Sequence, residues 1–141
     1  MLFRSFPETE NWNSAKKACE ALGSKLVVIN SRAENREVGE SITGRFGTFI
    51  GLYRNPRNDS DWVWVDQSGS TYTNWDSGEP NDYKNLGEDC VHMHSELESR
   101  EYKWNDLRCD GSYNIPYVCE TRGKSGSIML YVVQPNVKFV Y

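Results

Sequence analysis

Glu79, Asn81, Glu88, Asn105 and Asp106 each carry a side-chain oxygen, the donor type that hard cations take. Ca²⁺ accepts about six to eight such oxygens at roughly 2.3–2.6 Å. Three carboxylates against a doubly charged ion leave a site near −1, which helps to retain the metal. Pro80, between Glu79 and Asn81, stiffens the loop so that both side chains can be held outward together. A cis bond at Pro80 would do this best, and X-Pro is where cis is tolerated. The competing reading of such a loop is a plain solvated acidic surface.

The charge distribution bears on both readings. Net charge is −4, yet residues 61–110 alone carry twelve Asp and Glu against four Lys and Arg. The segments before and after are each slightly positive. An acidic excess of this kind argues against a nucleic-acid partner, which needs a basic stripe to offset phosphate. The two histidines, His92 and His94, share one face of a strand pattern but lack a third ligand for a metal of their own.

The elements that must position these residues read as two regimes. Asn11 caps a helix whose apolar positions Trp12, Ala15, Cys19 and Leu22 recur at three- and four-residue intervals, with Gly23 as the stop. Ser31 and Glu34 form a capping box for a second helix to about Ser41, ended near Gly44. Residues 1–6 and 26–29 read as short strands, the latter alternatively as a buried connector. From residue 48 onward the pattern is β: 48–53, 62–65, 70–75, 90–94, 102–104 and 117–120 are expected strands. Residues 76–89 are almost free of apolar side chains, and a structureless loop that long is usually functional. The fold class is therefore α+β, with two early helices and an antiparallel sheet carrying a long acidic loop.

The chain has 141 residues, 18 of them aromatic, the size of one domain with a real core. No apolar run is long enough to span a bilayer, so membrane insertion is not expected. Residues 1–6 lack the basic-then-apolar pattern of a secretion signal, as for a processed chain or an excised domain. Four cysteines, Cys19, Cys90, Cys109 and Cys119, lack paired zinc-type spacing and read as two disulfides in any of three pairings, formed in an oxidising, extracellular setting. Asn58-Asp59-Ser60 is a glycosylation sequon. The expected domain covers 1–122. Residues 123–141 form a polar linker and then a β-prone segment, which reads as a docked edge strand, the start of another module, or a pairing element for a homo-oligomer.

From residue 2 to 120 the sequence resembles the C-type lectin-like domains. The matching elements, in the family's order, are Trp12-x-x-Ala15-x-x-x-Cys19, Phe49-Ile50-Gly51-Leu52, Trp62-x-Trp64, Asn74-Trp75, Gly78-Glu79-Pro80-Asn81, Glu88-Asp89-Cys90, Trp104-Asn105-Asp106 and Cys119. The resemblance implies the pairings Cys19–Cys119 and Cys90–Cys109. It also implies one principal Ca²⁺ held by Glu79, Asn81, Glu88, Asn105 and the side chain and carbonyl of Asp106. The same residues would bind two vicinal sugar hydroxyls, the acids accepting hydrogen bonds and the amides donating them. The order Glu-Pro-Asn goes, in that family, with the equatorial 3- and 4-hydroxyls of mannose, glucose, N-acetylglucosamine or fucose, whereas Gln-Pro-Asp goes with galactose. Tyr83 is the one aromatic that the sequence places beside the site, as a secondary sugar contact, while the five tryptophans read as core or loop packing.

Three departures stand out. The loop 82–87 is about one residue longer than in the mannose-binding proteins, and residues 95–100 lengthen the approach to Trp104. An auxiliary Ca²⁺ site is put in doubt by Arg54 where the family's pattern wants acids, although Asp82 and Asp89 remain and Asn58, Asp59 or Asp61 stand near in sequence. The expected function is Ca²⁺-dependent binding of cell-surface or glycoprotein glycans without turnover. The alternative is a domain of the same fold that binds a protein or a surface. An enzyme is not expected, because ligated carboxylates are poor general acids and no nucleophile–base pair is present.

Overall fold

A computed structural model of the chain describes residues 11–42, 47–95, 102–111, 113, 115–122 and 128–133. The expected strand at 1–6 and the helix stop near Gly44 lie outside the described residues. Helix α1 (Trp12–Ala21) starts where Asn11 Oδ1 accepts the Ser14 N–H at 2.8 Å. It ends as Gly23 takes the left-handed conformation, φ 71°, which glycine adopts without a Cβ penalty. Helix α2 (Arg32–Ser41) opens at the expected cap, with the return bond from Glu34 going to the residue before Ser31. Ser31 Oγ accepts from Glu34 N, and Glu34 Oε2 accepts from Asn30 N.

Among the described residues seven strands form one sheet: β1 (Lys25–Leu26), β2 (Thr48–Arg54), β3 (Trp62–Trp64), β4 (Cys90–Met93), β5 (Trp104–Leu107), β6 (Tyr117–Arg122) and β7 (Ile128–Val133). The main path runs β1-β6-β2-β4-β5, with β3 on β2 and β7 on β6. The sheet is mixed rather than wholly antiparallel, since β2 and β6 meet in parallel at Phe49 and Tyr117. The β-prone Ile128–Val133 segment pairs antiparallel along the whole of β6, and Val133 is buried.

Three other expectations shift. Residues 70–74 form no strand; only Trp75 makes an isolated parallel bridge to Trp104. The side chains there are used instead, with Ser70 Oγ donating to the Ile29 carbonyl and Tyr72 packed edge-on to Trp104. The strand expected at 102–104 begins at Trp104, because Tyr102 sits at φ 59°, outside extended geometry. Residues 27–29 form no strand of their own, although Val27, Val28 and Ile29 are all buried.

The core lies on both faces of β2. Trp12, Ala15, Cys19, Leu26, Phe49 and Tyr117 pack on one side, and Val28, Val38, Ile50, Trp64, Val91 and Trp104 on the other. At Gly51 the sheet leaves no room for a side chain: a Cβ would stand 2.8 Å from the Leu26 carbonyl and 2.9 Å from Val65. Both implied disulfides are formed, Cys19–Cys119 across 100 residues and Cys90–Cys109 across 19.

Candidate functional site

The acidic loop is clamped at both ends to the strand that carries Asn105 and Asp106. At its start, Trp104 N donates to the Asn74 carbonyl at 2.8 Å and Asp76 N donates to the Trp104 carbonyl at 2.9 Å. At its end, β4 pairs with β5 in the register Cys90↔Leu107, Val91↔Asp106 and His92↔Asn105. The Cys90–Cys109 bridge fastens the same two strands. Anything the loop presents therefore faces β5.

It presents the expected residues. Glu79, Asn81, Tyr83 and Glu88 line an open cleft of about 350 Å³ together with Asn105. The Glu79–Pro80 bond is cis. Asp106 lies behind the loop, fully buried. Its Oδ1 accepts the Asn81 N–H at 3.2 Å and its Oδ2 the Asp82 N–H at 2.8 Å. Asp82, in the left-handed region at φ 42°, returns the tie: its Oδ1 accepts the Glu88 N–H at 2.7 Å. The turn is closed by Tyr83 N, which donates to Glu88 Oε1 at 2.8 Å and to Asn81 Oδ1 at 3.1 Å. Each of those oxygens keeps a further lone pair for another partner. Tyr83 and Leu86 stand exposed on the rim.

Electrostatically the site is short of positive charge. The Glu79 carboxyl is pushed up to about 7, first by burial and then by Asp106, Glu88 and Asp76. Glu88 is raised by burial, against the lowering effect of the Tyr83 N–H, with Asp106 and Asp82 adding to the rise. Glu79 Oε2 is buried and has no hydrogen-bond partner among the described residues. An orphaned buried carboxylate oxygen beside other acids is what a cation would satisfy. Among the described residues no three carboxylates, imidazoles or thiols are gathered closely enough to hold an ion unaided. The two amide oxygens are needed in the set, and an ion would have to draw mutually repelling carboxylates together. On donor chemistry the residues fit Ca²⁺.

Sequence reasoning missed four contributors. Asp76 and Ser77 line the cleft, and so does His94, whose Nε2 is 3.7 Å from Asp76 Oδ2. His94 is thus part of the cleft wall rather than plain strand surface. Its position two residues beyond His92, in register with Asn105, was the available signal. The fourth, Asn35 on α2, acts at a distance: its Oδ1 accepts the Trp104 indole N–H at 2.8 Å and its Nδ2 donates to the Tyr102 carbonyl at 3.3 Å. The tryptophans are packing residues as expected. Trp12, Trp64 and Trp104 are buried, and Trp62 and Trp75 pack on each other at 5.0 Å.

A family profile described as Lectin C-type domain matches residues 8–121. The chain belongs to the C-type lectin family. Among curated proteins it is similar to a perlucin-like protein of Mytilus galloprovincialis, 36% identical over 80% of this chain and 71% of the relative. It is similar also to a C-type lectin mannose-binding isoform of Notechis scutatus scutatus, 33% identical over 85% and 76%. Among solved structures it resembles the C-type carbohydrate-recognition domain of cow CD23 in the presence of a GlcNAc2Man3 oligosaccharide. That match has a TM-score of 0.66 and 37% identity, over 77% of this chain and 78% of that one. No helix among the described residues is long and apolar enough to cross a membrane.

Proposed function

We propose that this C-type lectin domain binds carbohydrate through one Ca²⁺, with Glu79, Asn81, Glu88, Asn105 and Asp106 as ligands, and selects mannose-type sugars. The observation that carries the reading is Glu79: half-buried, with its Oε2 buried and without a partner, and pushed up first by burial and then by three neighbouring acids in a cleft that also holds two amide side chains. Ca²⁺ supplies the charge that this cluster lacks and offers its remaining coordination positions to two vicinal hydroxyls. The chain's own groups do the selecting. Glu79 and Glu88 accept from the hydroxyls, and the amides of Asn81 and Asn105 donate to them. The acid-then-amide order around Pro80 favours equatorial 3- and 4-hydroxyls, and two relatives, a mannose-binding isoform and a domain seen with a mannose-containing oligosaccharide, point the same way. Tyr83, on the rim, packs against the face of the bound sugar.

The carboxylates serve as ligands, so the reading is binding without turnover. The two disulfides suit an oxidising, extracellular location. A two-hydroxyl contact buries little area, so useful avidity comes from several sites presented together, as in a homo-oligomer. The test is retention on immobilised mannose in CaCl₂, with separate elution by chelator, mannose and galactose. Release by chelator and mannose but not by galactose is expected. No retention in CaCl₂, with Ca²⁺ binding intact, would overturn the mannose assignment in favour of a protein or surface ligand.

A further inference from the structure

The acidic site carries a cation of its own. Arg54, the last residue of β2, has a side chain only 18% exposed. Its Nε donates to Asp89 Oδ1 at 2.9 Å, its Nη1 to the Asp59 carbonyl at 2.6 Å and its Nη2 to the Glu88 carbonyl at 3.2 Å. Nη2 also stands 3.8 Å from Asp106 Oδ2, and the Trp62 ring covers the guanidinium at 4.5 Å. A backbone bond from Arg54 N to the Asp89 carbonyl at 2.7 Å fixes the base of the side chain. The guanidinium thus joins three separate segments, the loop at Asp59, the loop end at Glu88–Asp89 and strand β5. The Asp106 oxygen beside it is the one that accepts the Asp82 N–H.

We propose that Arg54 is a built-in cation that assembles the Ca²⁺ site before the metal arrives. The proposal rests on the reading above that Glu88 and Asp106 are ligands. The planar fork fits this task. It meets a carboxylate and two carbonyls in fixed directions, which the point charge of a lysine does not reproduce. Without it, Asp89, Asp106 and the carbonyls of Asp59 and Glu88 would surround a space with four oxygens and no counter-charge. A guanidinium beside a divalent ion also repels it, so charge alone and positioning predict opposite effects on affinity. Arg54→Lys separates them, keeping the charge and losing the fork.

Three chains, wild type, Arg54→Lys and Arg54→Met, are titrated with CaCl₂ by calorimetry, folding being checked by circular dichroism. Arg54→Lys is expected to bind Ca²⁺ about tenfold more weakly than wild type. Arg54→Met is expected to bind more weakly still, although the repelling charge is gone. Arg54→Met binding Ca²⁺ as tightly as wild type, or more tightly, overturns the proposal. If Arg54→Met does not fold, wild-type affinity in Arg54→Lys overturns it instead. Hydrogen exchange in chelator supplies a metal-free readout. The Asn81 and Asp82 amides should exchange at least tenfold faster in Arg54→Lys than in wild type, with β4 unchanged. A wild type that binds no Ca²⁺ would sink the proposed ligand set, while the exchange result would still decide whether Arg54 positions the loop.

Discussion

Asp106→Asn is the perturbation whose size the structure defines best. The carboxylate is fully buried and accepts two backbone N–H groups, from Asn81 on one oxygen and Asp82 on the other. An amide offers one oxygen, so one of those donors must face an NH₂ group. A hydrogen bond to a charged acceptor contributes about 1.5–3 kcal/mol, and a buried donor left unsatisfied costs roughly 1–3 kcal/mol more. Working the other way, removing a charge relieves repulsion with Glu79 and Glu88. At pH 6 that relief is small, because Glu79, pushed up to about 7, is already largely protonated. The loss therefore wins, by about 3 kcal/mol in metal-free protein. With a urea m-value of about 2 kcal/mol/M for a chain of this size, the midpoint in chelator at pH 6 should fall by at least about 1 M. At pH 7.5, Ca²⁺ at a hundredfold excess over Kd should stabilise the wild type by about 2.7 kcal/mol. The variant should gain almost nothing at that concentration. Asp110→Asn, on an exposed residue, is the control and should behave as wild type. An unchanged midpoint in chelator would refute the hydrogen-bond reasoning, and a wild-type response to Ca²⁺ would remove Asp106 from the ligand set.

Two further outcomes follow from the same geometry. The folded pKa of Glu79 is raised from 4.5 to about 7, so between those values the unfolded chain ionises while the folded one holds its proton. Metal-free protein should accordingly lose stability as pH rises from about 4.5 to about 7, and saturating Ca²⁺ should abolish that slope; urea midpoints at pH 5 and 7.5, with and without chelator, read it. Replacing Cys90 and Cys109 by serine opens a loop of 19 residues, worth roughly 3 kcal/mol in the loop-entropy account. Because that bridge fastens the strands beneath the cleft, Ca²⁺ affinity should fall with the melting temperature, and a variant that lost stability alone would show the bridge to be irrelevant to the site.

Local chemistry made most of the elements readable. Asn11 and Gly23 bracket α1, and Ser31 with Glu34 opens α2 at the expected residue, because caps are satisfied within a few residues of chain. The errors fall where distant partners decide. Residues 70–74 have strand-like composition, yet their neighbour Trp104 already spends its edge on β4 and a single bridge to Trp75. The parallel contact of Phe49 and Tyr117 has no local signature at all. Tyr102, aromatic and two residues short of β5, is turned left-handed while its carbonyl serves Asn35 and Asn74.

The site divides along the same line. Its donor types could be read from two short stretches, 79–88 and 105–106, but what makes them one site is Trp104. Its backbone N–H and carbonyl hold the start of the acidic loop through Asn74 and Asp76, and its indole N–H is held by Asn35 on α2. Ring contacts to Trp64, Tyr72 and Trp75 fix the plane of the indole. Asn105 and Asp106 follow directly in the chain, so the orientation of one buried indole sets where two of the five expected ligands meet the other three. None of Asn35, Asn74 or Arg54 is a ligand in this account. Each is polar, engaged by a side-chain hydrogen bond, and distant in sequence from a group it positions, which is why residue type and spacing alone did not reveal these positioning roles.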